Sequence, residues 1–217
     1  MTDAIDLKQI ERKAFRSTYQ DGLWDIYWGL IVVCMAFFIA RPEEGYSAWN
    51  ILMMLASFFV SYSLFWVGKK FITMPRMGQV VFGPARKMKK ITLAIILGVV
   101  ILFQVASVLI SVVGWLNQIW MMKVEILLQL GGTERLMVAA IGALFIGPSM
   151  ILIAYFNEFL RGYYIAILMT LAVFLMILLN QPIYPVILGL AILLPGLVLF
   201  FRFLQKYPLH KEENDNE

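Results

Sequence analysis

Apolar runs of about 20 residues recur along this 217-residue chain, separated by short polar connections. Each run is long enough to cross roughly 30 Å of hydrocarbon as a helix. With 61% apolar and 15% charged residues, little sequence is left for anything else. A bilayer admits only helices and closed barrels, and continuous runs of this length select helices. The expected fold is an all-α membrane protein with six transmembrane helices. They cover residues 23–40, 48–67, 91–113, 136–156, 163–179 and 185–203. Together they make one membrane domain, residues 22–204, without room for a second globular domain. Residues 1–21 read as an amphipathic helix. There Leu7, Ile10, Ala14 and Thr18 recur at helical spacing, with Lys8, Arg12, Lys13 and Arg16 between them. Such a helix is expected to lie along the cytoplasmic headgroups. Residues 205–217 end in EENDNE and are expected to form a disordered cytoplasmic tail. No small-residue cleavage site follows the first run, so no cleavable signal is expected.

The longest polar connection runs from Lys69 to Lys90. It carries Lys69, Lys70, Arg76, Arg86, Lys87, Lys89 and Lys90 and no acid. Basic residues mark the cytoplasmic side of a membrane protein. With six spans, only Arg41, Lys123 and Arg135 of the 18 basic residues fall on the opposite side. A multi-pass protein of the cell membrane with both termini in the cytoplasm follows. The pI near 9.2 would fit nucleic acid in a soluble chain. Here the charges flank the spans, so orientation and anionic lipid account for them and nucleic acid is not an expected partner.

Within this connection Pro75-Arg76-Met77-Gly78 has turn chemistry, and Phe71, Thr73, Val80 and Phe82 alternate around it. The pattern predicts a small cytoplasmic β-hairpin over residues 71–82, between spans two and three. A two-stranded hairpin is marginal alone and needs helix ends, the bilayer or a partner to pack on. The candidate docking or lipid-binding residues are Lys69, Lys70, Pro75, Arg76, Gly78, Arg86, Lys87, Lys89 and Lys90.

Three other residues are candidates for a polar or ion site: Asp21, Asp25 and Gln104. Asp21 can cap the first turn of span one, and Asp25 sits four residues on, on the same face. Trp24, Tyr27 and Trp28 read as an interfacial aromatic belt. Gln104 lies near the middle of span three, where an amide is expected to bond to another helix. Residues 115–130 are apolar with two tryptophans, as for a helix in the outer interface. Pro148 should kink span four and free a carbonyl one turn earlier, and Pro195-Gly196 interrupts span six. Glu158 and Arg161 are spaced to pair. Cys34, the lone cysteine, reads as a buried structural thiol.

The run Pro-Arg-x-Gly-x-Val-x-Phe at residues 75–82 and the Asp-Gly-Leu-Trp-Asp entrance of span one resemble those of one particular family. Its members are uncharacterised prokaryotic multi-pass integral membrane proteins. The resemblance covers roughly the first 90 residues. It implies the membrane class and no activity.

The chemistry that is missing also bears on function. The single histidine, His210, lies in the tail, and no P-loop or dinucleotide fingerprint occurs. No catalytic, cofactor or metal residues are expected. The favoured function is a non-enzymatic subunit or scaffold, docking a partner protein or anionic lipid, with homo-oligomerisation open. Kinking prolines favour the alternative, a small transporter or channel, but no charged residue stands at mid-membrane. A lipid-modifying enzyme using Asp21 or Asp25 is the third reading.

Overall fold

A computed structural model describes residues 15, 17–38, 48–77, 84–116 and 133–208. Among these, six helices succeed one another: α1 (Leu23–Cys34), α2 (Ala48–Val67), α3 (Pro84–Leu116), α4 (Thr133–Phe156), α5 (Leu160–Leu179) and α6 (Ile183–Lys206). The described residues are mostly helical and contain no strand.

Five stretches are long and apolar enough to cross a membrane: Leu52–Met77, Arg86–Ala106, Arg135–Phe156, Leu160–Leu179 and Ile183–Lys206. These are consistent with a membrane-embedded protein. The remaining expected span, span one over residues 23–40, is shorter. Its 12-residue helix α1 rises about 18 Å and ends in a 3-10 turn, Met35–Phe38. Asp25 in its first turn is buried within the protein, so the apolar part of α1 starts a turn late.

The β-hairpin is not formed. From Gly68 the backbone of α2 widens into a π-helical stretch, Gly68–Thr73, and closes with an α-helical turn, Met74–Met77. The Met74 N–H reaches back five residues to the Lys69 carbonyl. Helical spacing prevails over alternation because Lys69 and Thr73, four residues apart, both bond the same buried carboxylate, Asp21. A strand would also put these two on one face, but about 13 Å apart, too far to share one oxygen. Gly78 and the second expected strand, residues 79–82, lie outside the described residues, as do residues 1–14, 117–132 and 209–217.

The core forms where α1, α4, α5 and α6 meet, around Val32, Met150, Ile165, Ala166, Met169, Ala172 and Ile192. The closest pairings are α4 with α5 and α1 with α6, and α5 with α6 joins them. Helix α2 packs on α1, and α3 on α4. Small residues set these distances. A Cβ on Gly196 would lie 2.8 Å from the Asp25 Cβ, so α6 could not approach α1 with a larger residue there. Gly22, at φ 76°, turns the chain into α1 and packs against the Gly196 carbonyl.

The connections follow local chemistry. Asn180 adopts the left-handed conformation at φ 49° and donates its N–H to the Met176 carbonyl at 2.9 Å, ending α5. Pro195 lacks the N–H that would satisfy the Ala191 carbonyl. The Tyr164 hydroxyl of α5 donates to that carbonyl at 3.0 Å instead. Cys34 is buried, with Sγ 4.0 Å from Ser61 Oγ.

Candidate functional site: the basic end of the bundle

One end of the bundle gathers the start of α1, the extended end of α2, the start of α3, the α4–α5 turn and the end of α6. Their contacts with residues 18–25 and with one another tie them together. Asp21 is the centre of the cluster and is wholly inaccessible. Its Oδ2 accepts from Lys69 Nζ at 2.6 Å and Thr73 Oγ1 at 2.8 Å, and its Oδ1 accepts from the Leu23 N–H at 3.3 Å. Lys69 Nζ also donates to the Thr18 carbonyl at 2.6 Å. The N-cap of α1 is Gly22 and has no side-chain cap, so Asp21, one residue earlier, does not cap the helix as expected and only meets its first N–H. Asp21 also pins α2 to α1, which the sequence did not disclose.

Asp25 lies one turn on and is also buried. Its Oδ2 stands 3.3 Å from Arg161 Nη1, at an angle outside hydrogen-bond geometry. Arg161 Nη2 donates to the Tyr19 carbonyl. Each aspartate thus has its own cation, so the two do not form an open carboxylate pair. Among the described residues, no group of three or more His, Cys, Asp or Glu is placed to hold a metal ion.

Tyr19 ties the α4–α5 turn to this cluster. Its hydroxyl donates to Asn157 Oδ1 at 2.8 Å and its ring stacks on Phe159 at 5.3 Å. Burial pushes the Tyr19 phenol up to about 12, against the opposing pull of Arg86, so the hydroxyl stays a donor. Glu158, at φ 49°, faces Arg86 at 3.5 Å and Lys89 at 3.9 Å, while its expected partner Arg161 faces Asp25.

The candidate docking residues divide into two groups. Lys69 and Arg86 turn inward, Lys69 onto Asp21 and Arg86 between Glu158 and the Phe15 ring, 4.2 Å from its centroid. Arg76 is half-buried, with Nε and Nη1 enclosed and without hydrogen bonds. Lys70, Lys87, Lys89 and Lys90 are exposed, with Lys70 over the Trp66 ring at 4.6 Å. Pro75 is exposed in the last helical turn after α2. Gln104 is half-buried far along α3, apart from this end, with no hydrogen bond among the described residues.

The aromatic belt turns inward. Trp24, Tyr27 and Trp28 join Tyr62, Phe65 and Asn157 around a cavity of about 340 Å³ between α1, α2, α3 and α4. A second cavity, about 330 Å³, opens beside α6 and is lined by Gln20, Arg161, Arg202, Lys206 and three apolar side chains. Sequence reasoning passed over Tyr19, Arg202 and Lys206, and named Thr73 only in the hairpin pattern and Arg161 only as a partner of Glu158. The i, i+4 spacing of Lys69 with Thr73 and of Arg202 with Lys206 was the available signal.

No protein-family model, no curated protein sequence and no solved structure matches this chain.

Proposed function

We propose that the chain is a non-enzymatic multi-pass protein of the cell membrane, with both termini cytoplasmic. It acts as a subunit or scaffold that docks on anionic lipid through its basic end. The observation that carries this reading is the charge at the start of α3. Arg86, Lys87, Lys89 and Lys90 crowd its first two turns, with no acid in the first turn. A helix N-terminus is already positive, so cations there are unfavourable without an anionic neighbour. Glu158 supplies one, facing Arg86 and Lys89. Three acids stand among the described residues of this end, Asp21, Asp25 and Glu158, and each already faces a cation. Lys87 and Lys90 extend the excess to the surface. Headgroup phosphates balance such an excess, at about 1 kcal/mol per basic residue near the surface. At 33 residues, α3 is about 50 Å long and can cross the hydrocarbon with its collar still among the headgroups.

The test is reconstitution in nanodiscs with and without phosphatidylglycerol. Wild type should be more heat-stable in the anionic discs. Replacing Lys87, Lys89 and Lys90 together by Gln should remove most of that difference and leave stability in neutral discs unchanged. An undiminished difference would reject the collar as the docking element.

A further inference from the structure

The cavity beside α6 lies apart from the α3 collar and is built for a different contact. It is lined by Gln20 from the turn before α1, Arg161 from the first turn of α5, and Arg202 and Lys206 from the last turns of α6. Three cations converge from two helices, and no carboxylate lines the space. The position of Lys206 in the last turn also suits the negative end of the α6 dipole, which by itself would explain a lysine there. It does not explain Arg161. That guanidinium has five N–H donors. Among the described residues its one hydrogen bond is that from Nη2 to the Tyr19 carbonyl, and Nη1 is buried toward Asp25 with none. Asp25, which does not line the space, holds the group in place without completing its hydrogen bonding. Arg202 and Lys206, four residues apart, stand on the same face of α6 as like charges, which disfavours the helix unless an anion lies between them.

We propose that this cavity binds a phosphate group, that of an anionic phospholipid headgroup. Arg202 offers a planar donor pair that matches phosphate oxygens, while Lys206 and Arg161, whose Nη1 and Nη2 already face Asp25 and Tyr19, add positive charge. Gln20 can donate to a glycerol or phosphate oxygen. The remaining wall, Leu199, Phe203 and Tyr207, is apolar. A free anion has no use for that wall, whereas the first methylenes of a lipid do. At about 330 Å³ the space takes a headgroup and the start of its chains, not a whole lipid. The membrane reading enters only in naming the source of the phosphate.

The test uses the full chain in neutral nonionic detergent. Short-chain phosphatidylglycerol and, separately, inorganic phosphate are titrated while thermal unfolding is followed. The lipid should stabilise the wild type at concentrations where inorganic phosphate does little. Arg202→Gln with Lys206→Gln should weaken the lipid about tenfold for each cation removed, without lowering stability in its absence. Arg202→Lys should recover part of the loss. Replacing Lys87, Lys89 and Lys90 by Gln should leave this binding intact, which separates failure of the cavity from failure of the collar. Equal stabilisation by inorganic phosphate would keep the phosphate site and reassign its source to the free anion. Binding of both probes unchanged in the Arg202 and Lys206 double variant would overturn the proposal.

Discussion

Asp21 ties the start of α1 to the extended end of α2 at the basic end. It takes two side-chain donors from α2 and one backbone donor at the start of α1 while fully inaccessible to solvent. Breaking a buried pair by removing one partner strands the other charge, at about 3–5 kcal/mol. Asp21→Ala should therefore destabilise the protein by about that much in detergent unfolding. Asp21→Ala with Lys69→Ala should recover part of the loss, because no charge is left unpaired. A double variant as unstable as the sum of the two would refute the pairing. In the sequence both residues stood out, but for other reasons: Asp21 as a cap and Lys69 as a topology signal. Their 48-residue separation hides the bond between them. The same holds for Asp25 and Arg161, since a single sequence carries no mark of which distant charge an aspartate will meet.

Proline at the element scale shows a device whose existence was readable and whose partner was not. Pro195 interrupts α6 and frees the Ala191 carbonyl, which the Tyr164 hydroxyl of α5 then satisfies. Tyr164→Phe should cost about 1 kcal/mol, since hydrogen bonds between membrane helices are modest. The cost should vanish in a Pro195→Ala background, where the helix can satisfy its own carbonyl. An equal cost in both backgrounds would show that Tyr164 acts by packing alone. The extension of α2 was the element most misread. Alternation at Phe71 and Thr73 and the turn residues Pro75 and Gly78 favour a hairpin locally, whereas the Asp21 contacts draw Lys69 and Thr73 onto one helical face. Cysteine scanning from residue 68 to 77 should thus show accessibility with helical period, lowest at positions 68 and 73 and low at 69. Alternating accessibility would restore the strand. The apolar runs themselves were legible because length and continuity alone decide that a helix can span. The short α1 was not, because its first turn serves the polar cluster instead of the apolar layer.

For the whole molecule, alternation of helix direction and placement of charge give one argument about orientation. Helix α1 leaves the basic end, α2 returns to it at Lys69, and α3 leaves from Arg86. Helix α4 returns at Asn157, α5 leaves at Arg161, and α6 returns at Arg202 and Lys206. Among the described residues Arg135 alone of the basic residues starts from the far end. Ten basic side chains, seven from Lys69 to Lys90 with Arg161, Arg202 and Lys206, therefore share one end. By the positive-inside rule such a bias is expected to keep that end in the cytoplasm. In a Cys34→Ser background, Glu44→Cys should react with an impermeant maleimide added to intact cells. Met88→Cys, on the exposed start of α3, should react only after permeabilisation. Adding the Lys87, Lys89 and Lys90 to Gln changes should not invert this pattern, because seven basic residues remain at that end. Labelling of position 88 from outside would reverse the orientation and remove the headgroup-facing collar with it. The internal bonds of Asp21, Asp25 and Tyr19 would stand, since they depend on packing within the bundle and not on which side of the membrane it faces.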